Sequence, residues 1–543
     1  MRCGDSTHPA PGLTLAVLGA ILIAAGALRL SDLGRESAWI DEVLSLSFST
    51  GSLTSITRRL EPLHLPVFFW LSAPLVAQGS GEGWVRLLPA AFGVALVPVA
   101  FGIGVELGRV RVGLTAAALV AVSRYLIGYS QEFRMYALVA FFGLVGTWAV
   151  LRLRRGPGRR LAWAVLGLAS LLNLYTSPFA IFIVAIHWGA VAALAWRQRA
   201  LLRPFLAFAL LLAISYVPAL LHMRPLFTRP ASAGQGGHED YESLALLAGI
   251  SLNHFAGLVP ALAVLLAFGS LLGAVVAWRQ CRAFVLIAGA SFAVPLVSLH
   301  LAKSGHFFNP RYLIYAQPHL VLLASLATVW LWDRAARRFA SRASCLDVLG
   351  PAAAGVGLVI ALTQMTAGHE LIGRKADWRS VARTLLADLH DGDLVVIEPF
   401  FENNTLLYHM DRLSPAGGRV RLTPRSDACW YGMYHRKARF EETPRAFLGP
   451  RITMVGIADA GQLDRLPAVE GATWLVASDE LPEAHARDFQ LVLRVAPTRP
   501  FYENAPQADS RRALALYRRE RRSASRRIRG PGTTRGRRPG GRG

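Results

Sequence analysis

The stretch "LTLAVLGAILIAAGALRLSDLGRESAWIDEVLSLS", Leu13 to Ser47, decides the fold. Its first eighteen residues carry one charge, Arg29. About 20 mostly apolar residues form a helix that crosses a bilayer. The run has no basic flank before it and no clear small-residue cleavage site, so it reads as a first span rather than a signal peptide. Asp41 and Glu42 follow side by side between hydrophobic residues, where the bilayer surface begins. Charges at that depth are costly and need a reason.

The rest of the chain extends this reading. Of 543 residues, 53% are hydrophobic and only 17% charged, against about 25% charged in soluble domains. Long apolar runs recur, so the chain is a polytopic α-helical membrane protein. The net charge is +23, with thirteen Arg against one Glu between Arg511 and Gly543. In so apolar a chain this bias fits membrane topology and anionic lipid rather than nucleic acid. Cys3, Cys281, Cys345 and Cys429 show no metal-ligand or redox spacing, and no structural disulfide is expected.

The turns between apolar runs fall into two sets. "GRVRVG" (108–113), "LRLRRGPGRR" (151–160), "WRQRALLR" (196–203), "WRQCR" (278–282) and "WDRAARRFASR" (332–342) are basic. Residues 31–65, "GYSQEFR" (128–134), "NLYTSP" (173–178), 223–242 and "KSGHFFNPRY" (303–312) are mixed or acidic. Lys and Arg collect on the cytoplasmic side, so the second set is expected outside. The alternation gives about eleven spans: 12–30, 84–106, 112–128, 135–151, 161–175, 178–196, 204–222, 258–278, 283–301, 311–332 and 348–367. Segment 66–78 is short for a span and reads as an interfacial or re-entrant helix on the outer side.

Texture changes after position 370. "GDLVVIEP", "RITMVGIA", "TWLVASDE" and "FQLVLRVAP" read as strands, and "DWRSVARTLLADLH" as an amphipathic helix capped by Asp377. The expected division is a membrane domain, 1–369, with an outer loop at 31–83; an extracytoplasmic α/β domain, 370–505; and a basic disordered tail, 506–543. The α/β part has no phosphate-binding glycine fingerprint, and a lid or docking role suits it.

Polar residues of the outward set are the candidates for chemistry. Asp41 and Glu42 form either a site or a helix-terminal charge pairing with Arg35. His64 lies between Pro62 and Pro66, which fix the backbone around it. Glu132 and Arg134 in "YSQEFRMYAL" are either a mutual ion pair or a carboxylate and a phosphate-binding guanidinium. Arg311 and Tyr312 stand where a span begins; the Arg either snorkels or clamps a phosphate. Lys303 and His306 add weaker cations. The shared side of these groups suits a lipid-linked phosphate and a hydroxyl to be deprotonated. A transporter site would instead lie near the midplane.

"LRLSDLGRESAWIDEVLSLS", "HLPVFF", "WVRLLPAAFGVALVPVAFGIGVELG", "YSQEFRMYAL" and "NPRYLIYAQPHLVLLAS" occur in that order. As an ordered set they resemble the family 39 glycosyltransferases, related to protein O-mannosyltransferases and aminoarabinose lipid A transferases. The resemblance implies a GT-C fold and inverting transfer of a sugar from a polyprenyl-phosphate carrier to a protein, glycan or lipid acceptor outside the cytoplasm. It implies Asp41 as general base, Glu42, Glu132 and His64 at an acceptor or metal site, and Arg134, Arg311 and Tyr312 on the carrier phosphate. Leu65, Phe68 and Phe69 depart from the family's His-Pro-Pro-like segment and tyrosines. A divalent metal stays open as a cofactor; a nucleotide is not required, because the activated sugar arrives on a lipid. The alternative from another class is a flippase or transporter of lipid-linked sugars that forms no glycosidic bond.

Overall fold

The computed structural model describes residues 11–228 except 80, 108 and 157–159; 243–301; 309–339; 350–360; 376–398 except 391; 402–413; 453–456; 460–466; 469–477; 481; 483–495; and 514–519. The expectations for Lys303, His306, Cys3, Cys345 and Cys429 lie outside the described residues.

Helix α1, Pro11–Leu30, is followed by short helices α2, Ile40–Phe48, α3, Leu53–Arg59, α4, Pro66–Ala77, and α5, Glu82–Val85. The long bundle then continues through α6, Leu87–Glu106, α7, Val110–Val122, α8, Arg124–Ser130, α9, Tyr136–Leu153, α10, Arg160–Leu174, and α11, Ala180–Arg197. It closes with α12, Leu202–Thr228, α13, Leu244–Phe255, α14, Pro260–Trp278, α15, Arg282–Leu301, α16, Ala316–Phe339, and α17, Gly350–Ile360. The chain is a multi-pass membrane protein. Among the described residues seven helices are long and apolar enough to cross a membrane, or eight with the bent pair α7–α8. That is fewer than the expected spans. Helix α10 has only 15 residues, α17 is short, and α16 opens on polar Gln317 and His319. The segment at 66–78 is the short helix α4, as its length implied.

The expected straight span at 112–128 is broken. Helices α7 and α8 meet at 59°. Ser123 leaves helical backbone geometry, and its hydroxyl accepts the amide of Leu126 as an N-cap. The carbonyls freed at the end of α7 need partners inside the bundle. Buried Arg29 supplies them, donating to Val120 O at 2.9 Å and Ala121 O at 2.8 Å. The bend turns the chain early and delivers the segment 131–135 to the end of the bundle that holds α2.

At the opposite, basic end, Arg109 and Arg111 pair with Asp333 at 3.1 and 2.6 Å, and Arg152 and Arg155 pair with Glu106 at 2.6 and 2.9 Å. Between the two ends, the Thr147 hydroxyl contacts His187 Nε2 at 2.8 Å and His319 Nε2 at 2.7 Å, joining α9, α11 and α16.

Helix α18, Trp378–Asp388, begins the part that holds the sheet, with Asp377 accepting the Ser380 amide as its N-cap. Strand β1, Leu394–Glu398, helix α19, Asn403–Leu413, and strands β2, Thr453–Gly456, β3, Thr473–Ala477, β4, Gln490–Arg494, and β5, Ala515–Arg519, follow. The strand order is β2-β1-β3-β5-β4, parallel from β2 to β3 and antiparallel at β5. Val395 and Ile397 face one core with Trp378, Leu385 and Trp474, while Leu394 and Val396 face another with Leu475 and Tyr517. This is the period-2 alternation of a sheet covered on both faces. Strand β5 corrects the expected boundary at 505: residues 515–519, read as tail because of their arginines, are the sheet's fourth strand in space. Its apolar half, Ala515 to Tyr517, is buried, and the basic composition around it hid that short pattern.

Candidate active site

Asp41 lies in the first turn of α2. Its Oδ2 is 3.1 Å from Arg311 Nη1 and 3.9 Å from Arg134 Nη2, and the side chain is 21% exposed. Arg134 is fixed from the same helix, donating to Asp41 O at 3.2 Å and Ser45 Oγ at 2.9 Å. Arg311 comes from a 3-10 turn, Pro310–Leu313, capped by the Asn309 side chain and anchored by the Tyr125 hydroxyl on Pro310 O at 3.0 Å. Its guanidinium lies 5.5–5.7 Å from the ring centres of Trp39, Tyr136 and Tyr312, a spacing at which aromatic faces attract cations. Tyr312 stacks on Phe179 with ring centres 4.2 Å apart. The Nε atoms of Arg311 and Arg134 and the Tyr136 hydroxyl are buried with no hydrogen-bond partner among the described residues. Buried donors of this kind cost stability until an acceptor meets them.

Burial raises the proton affinity of Asp41, but Arg134 and Arg311 outweigh it and hold the carboxyl below its usual range. Burial opposes the charge on Arg134 and Arg311; their anionic and phenolic neighbours outweigh it, and both stay protonated. His64 packs between Phe48 and Phe69 at ring distances of 5.1 and 5.8 Å. Burial, with Arg134 nearby, pushes it down to about 3, so it is neutral at ordinary pH.

The other half of the acidic pair faces elsewhere. Glu42 is buried and bidentate to Arg86, with both contacts at 2.8 Å, and it accepts the Phe133 amide at 2.8 Å. Arg35 pairs with Asp32 at 3.7 Å. Glu132 is buried and its Oε1 accepts the Trp39 indole N–H at 3.0 Å. The structure therefore gathers Asp41, Arg134, Arg311 and Tyr312, sets His64 beside them, and ties Glu42 and Glu132 to the scaffold. Sequence reasoning missed Trp39, Ser45, Arg86 and Tyr136. Arg86 had a signal, since it was the one basic residue inside the expected span 84–106; the aromatic residues looked like ordinary core.

No three His, Cys, Asp or Glu side chains converge as metal ligands among the described residues. Asp41 and Glu42 are each engaged by guanidinium groups, so this donor set does not fit a divalent ion.

No protein-family model matches the chain, and no curated protein sequence does. Solved structures do match it. ArnT from Cupriavidus metallidurans in the apo state aligns over 93% of this chain and 98% of its own, at TM-score 0.57 and 13% identity. The same protein bound to undecaprenyl phosphate aligns over 94% and 98%, at TM-score 0.52 and 14% identity. The Archaeoglobus fulgidus oligosaccharyltransferase aligns over 74% and 64%, at TM-score 0.47 and 13% identity. The chain thus has the fold of the GT-C membrane glycosyltransferases.

Proposed function

We propose that this protein transfers a sugar from a polyprenyl-phosphate-linked donor to a hydroxyl acceptor outside the cytoplasm, with inversion at the anomeric carbon. The observation that carries this reading is the Asp41 carboxylate held against two buried guanidinium groups, Arg134 and Arg311. The likeness to an ArnT structure bound to undecaprenyl phosphate supports the donor class.

In the resting site, Asp41 is the anion that Arg134 and Arg311 hold. A donor phosphodiester takes its place, drawing on the donors at both Nε atoms and on the Tyr136 hydroxyl, which have no hydrogen-bond partner among the described residues. Asp41, partly exposed, then serves the acceptor. It takes the acceptor's proton as the hydroxyl oxygen bonds to the anomeric carbon. The bond from that carbon to the phosphate oxygen breaks with its electron pair. Polyprenyl phosphate leaves with one more negative charge, which the two arginines stabilise as it develops. Glu42 keeps the scaffold role its Arg86 pair gives it, and Tyr312 holds Arg311 in place. No step passes through a metal.

The test is transfer of radiolabelled sugar from a polyprenyl-phosphate donor by purified protein in nanodiscs, with envelope glycans of a deletion strain as acceptor pool. Product with a new glycosidic bond supports the reading. Movement of the lipid-linked sugar across liposomes without product would favour a flippase instead.

A further inference from the structure

The segment 33–38, between α1 and α2, is not regular structure, yet every one of its carbonyls is satisfied by a side chain from elsewhere. Leu33 O accepts from Arg86 Nη1 at 2.7 Å, Gly34 O from Arg379 Nη2 at 2.7 Å, and Arg35 O from Arg379 Nη1 at 3.1 Å. Glu36 O accepts from both, at 3.0 Å from Arg86 and 2.6 Å from Arg379. Ser37 O accepts from Arg86 at 3.5 Å, and Ala38 O from His409 Nε2 at 2.9 Å. Because the acceptor is a carbonyl, that His409 nitrogen carries a proton. Burial also lowers the proton affinity of His409, consistent with a neutral ring.

Two of these three donors belong to the part that holds the sheet. Arg379 is in the first turn of α18, and His409 is on α19, which packs on α2. Arg379 also pairs directly with Glu82 of α5. The backbone adds to the grip, as the Arg379 amide donates to Ser37 Oγ at 3.2 Å and that hydroxyl donates to Asp377 at 3.3 Å. Three residues after Ala38 comes Asp41. An irregular loop has no ladder of its own to fix it, so its shape is set by these three side chains.

We propose that the α/β domain sets the position of the Asp41 helix, with Arg379 and His409 as positioning residues that grip its lead-in loop. This rests on the reading of Asp41 as the working carboxylate. The carrier site is built on Arg134, Arg311 and Tyr136, none of which contacts the domain through the bonds above. Arg134 leans on Asp41 O and Ser45 Oγ of that helix, but its own backbone and those of Arg311 and Tyr136 lie outside the gripped loop, so loosening the grip displaces the base more than it disturbs donor binding.

The experiment compares wild type with Arg379→Ala, His409→Phe and Arg379→Lys in nanodiscs. Amide exchange by mass spectrometry reads residues 33–48, and transfer kinetics read kcat and KM for the donor. In Arg379→Ala and His409→Phe, exchange in this segment speeds up at least about tenfold, and kcat falls about 10- to 100-fold, the scale expected for ångström misplacement of a reacting group. Donor KM changes by less than the fall in kcat. Arg379→Lys, which keeps a cation for Glu82, recovers part of kcat. Should the alanine variant fail to fold, Glu82→Gln weakens the same grip from the membrane side and gives the same pattern. Unchanged exchange over 33–48, or a loss expressed mainly in donor KM, would overturn the inference. Faster exchange together with full activity of Asp41→Asn would leave the grip standing and remove the base assignment instead.

Discussion

Two guanidinium groups share the carboxylate of Asp41, and that sharing sets its chemistry. With burial outweighed by Arg134 and Arg311, its ionised form is favoured below the usual carboxylate range. Activity that needs the ionised form is complete at neutral pH and is lost only as pH falls below the usual carboxylate range. Removing one cation by Arg311→Gln raises the carboxyl, so the acid limb of the kcat/KM profile moves to higher pH. A limb that stays in place contradicts the pairing. Asp41→Asn should lower transfer by about 100-fold or more while native mass spectrometry still detects bound polyprenyl phosphate. His64, neutral down to about pH 3, contributes no limb between pH 5 and 8, and His64→Gln leaves that part of the profile unmoved. Glu42 behaves differently because its partner is buried with it. Glu42→Gln leaves Arg86 poorly neutralised and should cost about 3–5 kcal/mol, read as a fall in thermal midpoint.

Among the elements, the break between α7 and α8 does most to build the site. A continuous helix over 112–128 would carry residues 131–135 further along the bundle axis, at about 1.5 Å per residue. Capping by Ser123 and the two carbonyls taken by Arg29 make the bend stable in an apolar setting. Arg29→Met should therefore leave those carbonyls unmet and reduce stability by about 1–3 kcal/mol, and the carrier binding proposed for Arg134 should fall with it. The Thr147 bridge is a separate device. The His319 Nδ1 contact to Tyr315 O at 2.6 Å assigns a proton to that nitrogen. Thr147 then donates to His319 Nε2 and accepts from His187. Thr147→Val breaks both bonds and should lower unfolding resistance by about 1 kcal/mol for each, without moving transfer rates, as followed by denaturant unfolding and the transfer assay on one preparation.

At the scale of the whole molecule, charge bias and fold agree on one arrangement. Basic residues gather at one end of the bundle with Glu106 and Asp333, and the Asp41 site and sheet domain gather at the other. The expectation is that the second end faces outward. In a cysteine-free background, exposed Asp388→Cys should react with a membrane-impermeant maleimide in intact cells. Protection until the cells are lysed would reverse the orientation.

The sequence by itself determined that the chain is a membrane bundle, that a small α/β unit follows it, and that the candidate polar residues fall on one set of turns. Those properties are written in local patterns: apolar run length, period-2 strands, an Asp cap before an amphipathic helix, and the alternation of basic turns. Only the tertiary structure decided which polar residues meet. Asp41 and Glu42 are neighbours in sequence, but successive helical positions point about 100° apart, so one joins Arg134 and Arg311 and the other joins Arg86. Strand β5 escaped notice because five residues with two arginines acquire a strand's meaning only between β3 and β4. The break at Ser123 was equally hidden, since nothing in an apolar run announces that an arginine 94 positions earlier will take up its freed carbonyls. Such partners are distant in sequence, and only the folded chain brings them within hydrogen-bonding reach.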